Sequence, residues 1–174
     1  IEQAYLDLLL SAPVNVRFGR ILVPVGIINR KHEPPTFHGV ERPSFDRVIV
    51  PTTWSADGIG VFGGIGPSLK YELYVVSGLD GSKFNATNGI RNGRIKENPS
   101  LHEPAVTGRM EFFPFVRGPG PGGSLRIGAS AYYGGVDNGN QGKNPGTDGE
   151  VRILSGDFEY TLSKFDFRGV IAHE

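Results

Sequence analysis

The chain has 174 residues, of which 18 are basic and 18 acidic, so its formal net charge is zero. This balance excludes a nucleic-acid-binding protein that relies on a basic surface. A hydrophobic content of 38%, without a long apolar run, excludes a helical membrane protein. The absence of cysteine excludes disulfide frameworks and thiol catalysis. The 26 glycines and 13 prolines, with 10% aromatic residues, indicate a turn-rich chain that still has a core.

Apolar and polar residues alternate with a period of two along the chain, whereas helical periodicity is nearly absent. The alternation predicts a single all-β, antiparallel domain over residues 1–174, or a fragment of one. It predicts about eight strands, at residues 2–11, 14–24, 57–65, 68–78, 104–116, 123–134, 150–162 and 164–174. Globular strands usually have about 5–6 residues, and tilted strands that cross a bilayer have about 9–11. The predicted lengths, mostly about 10–12 residues, therefore favour a transmembrane β-barrel.

The second predicted strand, "NVRFGRILVPVG", places charge within an apolar stretch. Arg17 alternates with Val16 and Phe18, so its side chain is expected on the polar side of the strand. Arg20 falls on the apolar side, where an unpaired guanidinium is costly. A bulge at Gly19 would re-aim Arg20, or its long side chain would reach polar surroundings beyond the apolar side.

The third predicted strand contains "GIGVFG", which matches the dinucleotide-binding fingerprint at Gly58, Gly60 and Gly63. That site requires a helix directly after the glycines, but Gly66 and Pro67 follow instead. The sequence therefore predicts a closely packed strand and no cofactor.

The polar side of the predicted strands carries charges of both signs. If the apolar side faces lipid, these charges face the interior of a barrel, where they must be paired or hydrated. We therefore predict a pore wall of mixed charge, lined by Asp7, Arg17, Lys70, Glu72, Arg109, Glu111, Arg126, Asp157, Glu159, Asp166 and Arg168.

Short and long connections alternate along the chain. Long polar segments occupy about residues 25–56, 79–103 and 135–149, and the connections between them are short. This alternation is typical of outer-membrane barrels, which have short turns at one end and long loops at the other. The first long loop is the candidate for folding inward to form a constriction, because it is the longest and carries Arg30, Lys31, Arg42 and Arg47.

Aromatic residues lie near the ends of the predicted strands, where they could form the interfacial girdles of a barrel. The set comprises Tyr5, Tyr71, Tyr74, Phe112, Phe113, Phe115, Tyr132, Tyr133, Phe165 and Phe167. In a soluble β-sandwich the same residues would pack in the core, and alternation alone does not separate the two folds.

No pattern predicts a catalytic, metal-binding or cofactor-binding site, and we expect that the protein is not an enzyme. His32, Glu33 and His38 lie in a proline-rich segment without the spacing of a zinc-binding helix. Asp157 and Glu159 could act as a glycosidase pair, but two such acids on one strand are common in any polar barrel interior.

Four stretches follow one another along the chain and together cover most of residues 14–134: "VRFGRILVPVG", "SADGIGVFGGIG", "LKYELYVVSGLDG", and "AVTGRMEFFPF" followed by "LRIGASAYYGG". They resemble, in the same order, strand motifs of the phosphate-selective porin O/P-like family of bacterial outer-membrane porins. Ala56 stands where the family often has Arg, and Ser77 stands where it has Asn. The acidic members of the polar side depart from the ladder of basic residues on which phosphate selectivity depends.

The resemblance implies part of a larger barrel of sixteen or more strands in the outer membrane of a Gram-negative bacterium. It implies a homotrimeric porin that passes small polar or anionic solutes or ions by passive diffusion, with the lipid bilayer as partner and no nucleic acid. Two alternatives stay open. One is a structural, non-conducting barrel of eight strands. The other is a soluble β-sandwich that binds carbohydrate by stacking on Trp54 or Tyr133.

Overall fold

The computed structural model describes residues 3–30, 51, 53–95, 99, 101–115, 123–137 and 149–174. Its eight strands form one antiparallel sheet in which each strand pairs with the next along the chain. The strands are β1 (Ala4–Leu9), β2 (Asn15–Leu22), β3 (Ser55–Ile65), β4 (Leu69–Ser77), β5 (Pro104–Phe112), β6 (Ser124–Gly135), β7 (Glu150–Leu162) and β8 (Phe165–His173). The all-β, antiparallel fold with about eight strands is confirmed, although most strands are shorter at their ends than predicted.

Helix is confined to the long loops in the described part of the chain. The helix α1 (Gly26–Arg30) follows β2, and two short 3-10 helices, Gly81–Lys83 and Ile90–Gly93, lie between β4 and β5. No helix among the described residues is both long and apolar enough to cross a membrane. A β-sandwich needs two packed sheets, whereas the described strands form a single sheet.

The sheet has an outer face of exposed apolar side chains and an inner face that carries the core. Pairing places residues of like character side by side, because successive side chains of a strand point to opposite faces. One row of the outer face runs through Leu6, Phe18, Ile59, Val75, Val106 and Tyr133. All six side chains are exposed. A continuous exposed apolar surface of this kind marks an interaction face.

The core lies on the inner face at the long-loop end of the sheet, where β2 and β3, β4 and β5, and β6 and β7 are joined by the long loops. The helix α1 follows β2 but contacts β6, β7 and β8, so the sheet curls around it. The buried cluster comprises Ile21, Val23, Val25, Trp54, Ala56, Tyr74, Val76, Leu79, Ile90, Ala105, Tyr132, Val136, Val151 and Ile153. Tyr74 and Tyr132 are therefore core residues, and their prediction as girdle residues is wrong.

Close strand packing explains the glycines of "GIGVFG". A Cβ atom at Gly58 would lie 2.3 Å from the Val75 carbonyl oxygen, and one at Gly60 would lie 2.0 Å from the Leu73 carbonyl oxygen. Only glycine permits this approach. No helix follows these glycines, as predicted, because a turn leads directly into β4.

The two edges of the sheet are β1 and β8. Each pairs with a single neighbour, and no ladder joins β1 to β8 among the described residues. Every residue of β1 is exposed. An edge strand with free N–H and C=O groups is a template for pairing with further strands.

Candidate functional site

The predicted pore-lining residues of β5–β8 come together on the inner face as one ion-pair network. The ladders place Glu111, Gly128 and Asp157 in one row, and Arg126, Glu159 and Arg168 in the adjacent row. The network comprises Arg109, Glu111, Arg126, Asp157, Glu159, Asp166 and Arg168. It holds three arginines and four carboxylates, so one negative charge is in excess.

Arg109 and Asp157 form the buried centre of this network. The Nη1 and Nη2 atoms of Arg109 donate to the two carboxylate oxygens of Asp157 at 2.7 and 2.8 Å. Their side chains are 1% and 0% exposed. Gly128 leaves room for the guanidinium, since a Cβ atom there would lie 2.3 Å from Nη2 of Arg109. The two parallel hydrogen bonds between the guanidinium and the carboxylate offset the free-energy cost of burying both charges.

Arg126 and Arg168 extend the network towards the turn end of the sheet, where the strands are joined by short connections. Arg126 Nη1 lies 2.8 Å from Asp157 Oδ1 and 3.3 Å from Glu111 Oε1. Arg168 Nε lies 2.9 Å from Glu159 Oε1. Each guanidinium is therefore shared between carboxylates from different strands, which ties β5, β6, β7 and β8 together.

Other predicted pore-lining residues also lie on the inner face. Arg17 donates to both carboxylate oxygens of Asp7 at 2.7 and 2.8 Å, on the β1–β2 side of the sheet. Its guanidinium carbon lies 4.1 Å from the ring centre of Tyr5. In the β4–β5 ladder, Glu72 is opposite Arg109 and Lys70 is opposite Glu111.

Arg20 lies on the outer face, as its position in the alternation predicts. It pairs with Asp57 of β3, with Nη2 2.5 Å from Oδ2. The β1–β2 and β2–β3 registers pass Gly19 without a break, so a bulge at this glycine is not the explanation. A cross-strand carboxylate satisfies the guanidinium instead. The two residues are 37 positions apart, so their pairing depends on the register of β2 against β3 and is not visible in the sequence.

Residues 23–30, which we call the strap, fold inward from the end of β2. Asn29 is fully buried and donates to the carbonyl oxygens of Val23 and Trp54 at 2.7 and 3.0 Å. It also accepts from the Trp54 N–H at 2.8 Å. The Gly26 N–H donates to Ser130 Oγ at 3.1 Å, which fixes the strap to β6. The first loop therefore begins on the inner face; Arg30 ends α1, while Lys31, Arg42 and Arg47 lie outside the described residues.

Asn29 belongs to none of the quoted motifs, and Ser130 lies in "LRIGASAYYGG" but its bond to the strap depends on the fold and is not visible in the sequence. Trp54 was considered as a carbohydrate-stacking residue, but its side chain is 1% exposed. Its ring centre lies 4.6 Å from that of Tyr132, within the core. Trp54 is therefore not available for stacking against a ligand at the surface.

Among the residues that the structure describes, no group of three or more His, Cys, Asp or Glu side chains is placed to hold a metal ion. His102 Nε2 lies 3.6 Å from Asp137 Oδ2 in the loop region. His32, Glu33 and His38 lie outside the described residues.

The chain is similar to a protein of Aquifex aeolicus (strain VF5) described as an uncharacterized protein. The two are 39% identical over 177 residues, which cover 99% of this chain and 38% of the relative. The chain thus spans less than half the length of the curated relative that it matches. No protein-family model matches the chain, and no solved structure matches it.

Proposed function

We propose that the chain forms part of the wall of an outer-membrane β-barrel porin, through which small polar or anionic solutes diffuse passively. The observation that carries the proposal is the opposite chemistry of the two faces. The outer face exposes large apolar side chains such as Leu73, Met110 and Phe158. The inner face carries the ion-pair network. A barrel wall between lipid and water requires this arrangement.

The height of the apolar outer face supports a membrane location. Apolar side chains cover the outer face of β6 from Leu125 to Tyr133, which is about 27 Å at about 3.4 Å per residue. Strands in membrane barrels tilt by about 40°, so this length gives about 20 Å along the membrane normal, near the apolar band of about 25 Å in known barrels.

Polar residues border this band at the long-loop end. Arg20 and Asp57 form an ion pair there, and so do Arg152 and Glu150. Aromatic rings lie at the turn end, where the ring centre of Phe167 is 6.4 Å from the ring centres of both Tyr160 and Phe165. Aromatic rings at the border of an apolar band are what the interfacial girdle of a membrane barrel requires.

A barrel of sixteen or more strands fits the two free edges, since β1 and β8 can each accept a further strand. The relative is long enough to supply additional strands. The trimeric state and the outer-membrane location follow from the family resemblance. The strap is the candidate constriction, because it occupies the inner face against β6–β8.

A second candidate, a structural barrel that does not conduct, is favoured by one observation. The arginines of the network are all paired with carboxylates, so the inner wall, as far as its residues are described, offers a solute no ladder of unpaired basic groups. Selectivity, if solutes pass, would then depend on accessible inner-face charges such as Lys70 and on the loops.

Planar-bilayer recording of the complete gene product separates the two candidates. A porin is expected to give stepwise conductance. Lys70→Glu, on the inner face, is expected to shift the reversal potential in the direction of greater cation selectivity. Lys164→Glu, in the turn between β7 and β8, is the matched control and leaves the reversal potential unchanged. A protein that inserts into liposomes without conducting contradicts the porin and supports the structural barrel.

A further inference from the structure

Two buried carboxylates lie side by side where the loop after β4 meets the start of the loop after β6. Asp80 and Asp137 are opposite each other in an isolated antiparallel bridge, and they are 5% and 4% exposed. The Leu79 N–H donates to the Gly135 carbonyl oxygen at 3.2 Å, which holds the two segments together beside this bridge. Like charges that are directly opposite in an antiparallel pair repel each other, so a cation near each carboxylate stabilises the contact between the loops.

The two carboxylates have basic partners of different kinds. Lys83 Nζ lies 2.9 Å from Asp80 Oδ2, and His102 Nε2 lies 3.6 Å from Asp137 Oδ2. A lysine ammonium keeps its charge throughout the neutral and mildly acidic range, whereas an imidazole gains its charge only as the pH falls through that range. The cation beside Asp80 is therefore permanent, while the positive charge that His102 brings to Asp137 depends on pH.

Acidic groups outnumber basic ones around His102 in the described part of the chain. Glu103, its neighbour in sequence, lies against Gly135, where a Cβ atom would be 2.4 Å from Glu103 Oε2. At the start of β7, Glu150 and Arg152 pair with each other at 2.9 Å, so their charges cancel. The groups that remain are three carboxylates and one ammonium, namely Asp80, Asp137, Glu103 and Lys83. This excess of negative charge attracts a cation to the position of the imidazole.

The exposure of the two partners allows His102 to respond to the pH of the medium. The His102 side chain is 41% exposed, whereas the Asp137 side chain is 5% exposed. Protons therefore reach the imidazole from solvent, while the carboxylate that it contacts is shielded, and shielding strengthens the attraction between opposite charges. The contact joins the segment before β5 to the segment after β6. These loops cover the buried cluster, of which Leu79 and Val136 are members.

We propose that His102 and Asp137 form a proton-dependent latch between the long loops that follow β4 and β6. Where the imidazole is neutral, the contact between the two side chains is weak. Where the imidazole is protonated, the contact becomes an ion pair and holds the loops more tightly over the buried cluster. The stability that this ion pair contributes is present in mildly acidic solution and is lost as the pH rises. The latch is a property of the loops and does not depend on whether the protein conducts.

Hydrogen–deuterium exchange of residues 79–95 in the complete gene product tests the latch, because these residues bond to the segment that carries Asp137. Exchange is measured at about pH 5.5 and about pH 7.5, on either side of the range in which imidazoles titrate. Parent and variant are compared at the same pH, so that the intrinsic rate of amide exchange cancels. At the lower pH, His102→Gln is expected to exchange about threefold faster than the parent, the factor for one partly exposed ion pair. At the higher pH, it is expected to exchange at the parent rate.

A permanent charge at the same position gives the opposite result. His102→Lys is expected to exchange like the parent at the lower pH and about threefold more slowly than the parent at the higher pH.

Two controls separate the latch from a structural role of the side chain. His173→Gln, at the end of β8, is expected to leave the exchange of residues 79–95 unchanged at both pH values. Lys83→Met removes the permanent cation beside Asp80 and is expected to speed exchange by the same factor at both. An equal effect of His102→Gln at the two pH values overturns the latch and assigns His102 a structural role. Unchanged exchange in His102→Gln at the lower pH, or in His102→Lys at the higher pH, also overturns it.

Discussion

The inner face of the sheet has two zones that differ in chemistry although the same strands build both. The core zone, at the long-loop end, buries Trp54, Tyr74 and Tyr132 beneath the strap and the loop after β4. The charged zone, nearer the turn end, holds the Arg109–Asp157 pair and its partners. The core zone is the part of the inner face that the strap and the loop after β4 cover. The loops therefore decide which part of the inner face is hydrophobic, while strand alternation decides only which residues face inward.

The largest expected effect is at the centre of the charged zone. Asp157→Asn leaves the buried Arg109 guanidinium without its main partner, which we expect to cost about 3–5 kcal/mol of unfolding free energy. Urea unfolding in detergent, followed by circular dichroism, measures the loss. Asp7→Asn, at the more exposed Arg17 pair, is the control and is expected to cost less than about 1 kcal/mol. Equal losses would show that burial does not distinguish the two pairs.

The core zone is tested at the strap. Asn29→Ala removes three buried hydrogen bonds, and we expect a loss of about 3 kcal/mol because buried backbone groups lose their partner. Asn85→Ala removes bonds of the same kind to Thr87 and Asn88 in an exposed loop, and is expected to cost less than about 1 kcal/mol. The same unfolding measurement applies. A neutral Asn29→Ala would show that the strap is not held by this side chain.

Alanine substitutions of two glycines on neighbouring strands test how closely the side chains of the network are packed. Gly128→Ala places a methyl group against Nη2 of Arg109, and we expect a loss of about 2 kcal/mol from the crowding. Gly156→Ala on β7, where the nearest atom is Ile171 Cγ2 at 3.6 Å, is expected to be nearly neutral. A tolerated Gly128→Ala would mean that Arg109 can leave its site at little cost.

The smallest expected effect is a pH dependence in the loop that covers the core zone. Burial disfavours the ionised Asp80 carboxyl, but hydrogen bonds from Ser82 and Lys83 outweigh it and hold the pKa of Asp80 below its ordinary value. A lowered folded-state pKa contributes stability above the ordinary pKa, and this contribution is lost as the pH falls towards the folded-state pKa. Asp80→Asn should therefore flatten the loss of stability below about pH 4, as measured by acid unfolding. An unchanged acid profile would contradict this role.

Strand positions and the face of each charged residue were predictable because alternation is a local property. The interaction partners of these charged residues could not be predicted. Arg109 and Asp157 are 48 positions apart, and whether they meet depends on the registers of β5, β6 and β7. Tyr74 and Tyr132 were assigned to the membrane interface because they lie near strand ends, and the sequence does not show that loops cover that end of the inner face. The strap residue Asn29 donates hydrogen bonds to the backbone carbonyl oxygens of Val23 and Trp54. No sequence pattern predicts such bonds.

Because each described strand pairs only with its neighbours in sequence, the described part of the sheet contains no crossover that fixes its size. A hairpin can be duplicated or removed and the remaining ladders keep their partners. Contacts that reach beyond the nearest strand, such as the strap against β6–β8 and the Arg109–Asp157 pair from β5 to β7, are the ones that such a change would break. The β1–β2 side of the sheet, which precedes the strap, is thus more open to evolutionary lengthening than the part of the chain between the strap and β8.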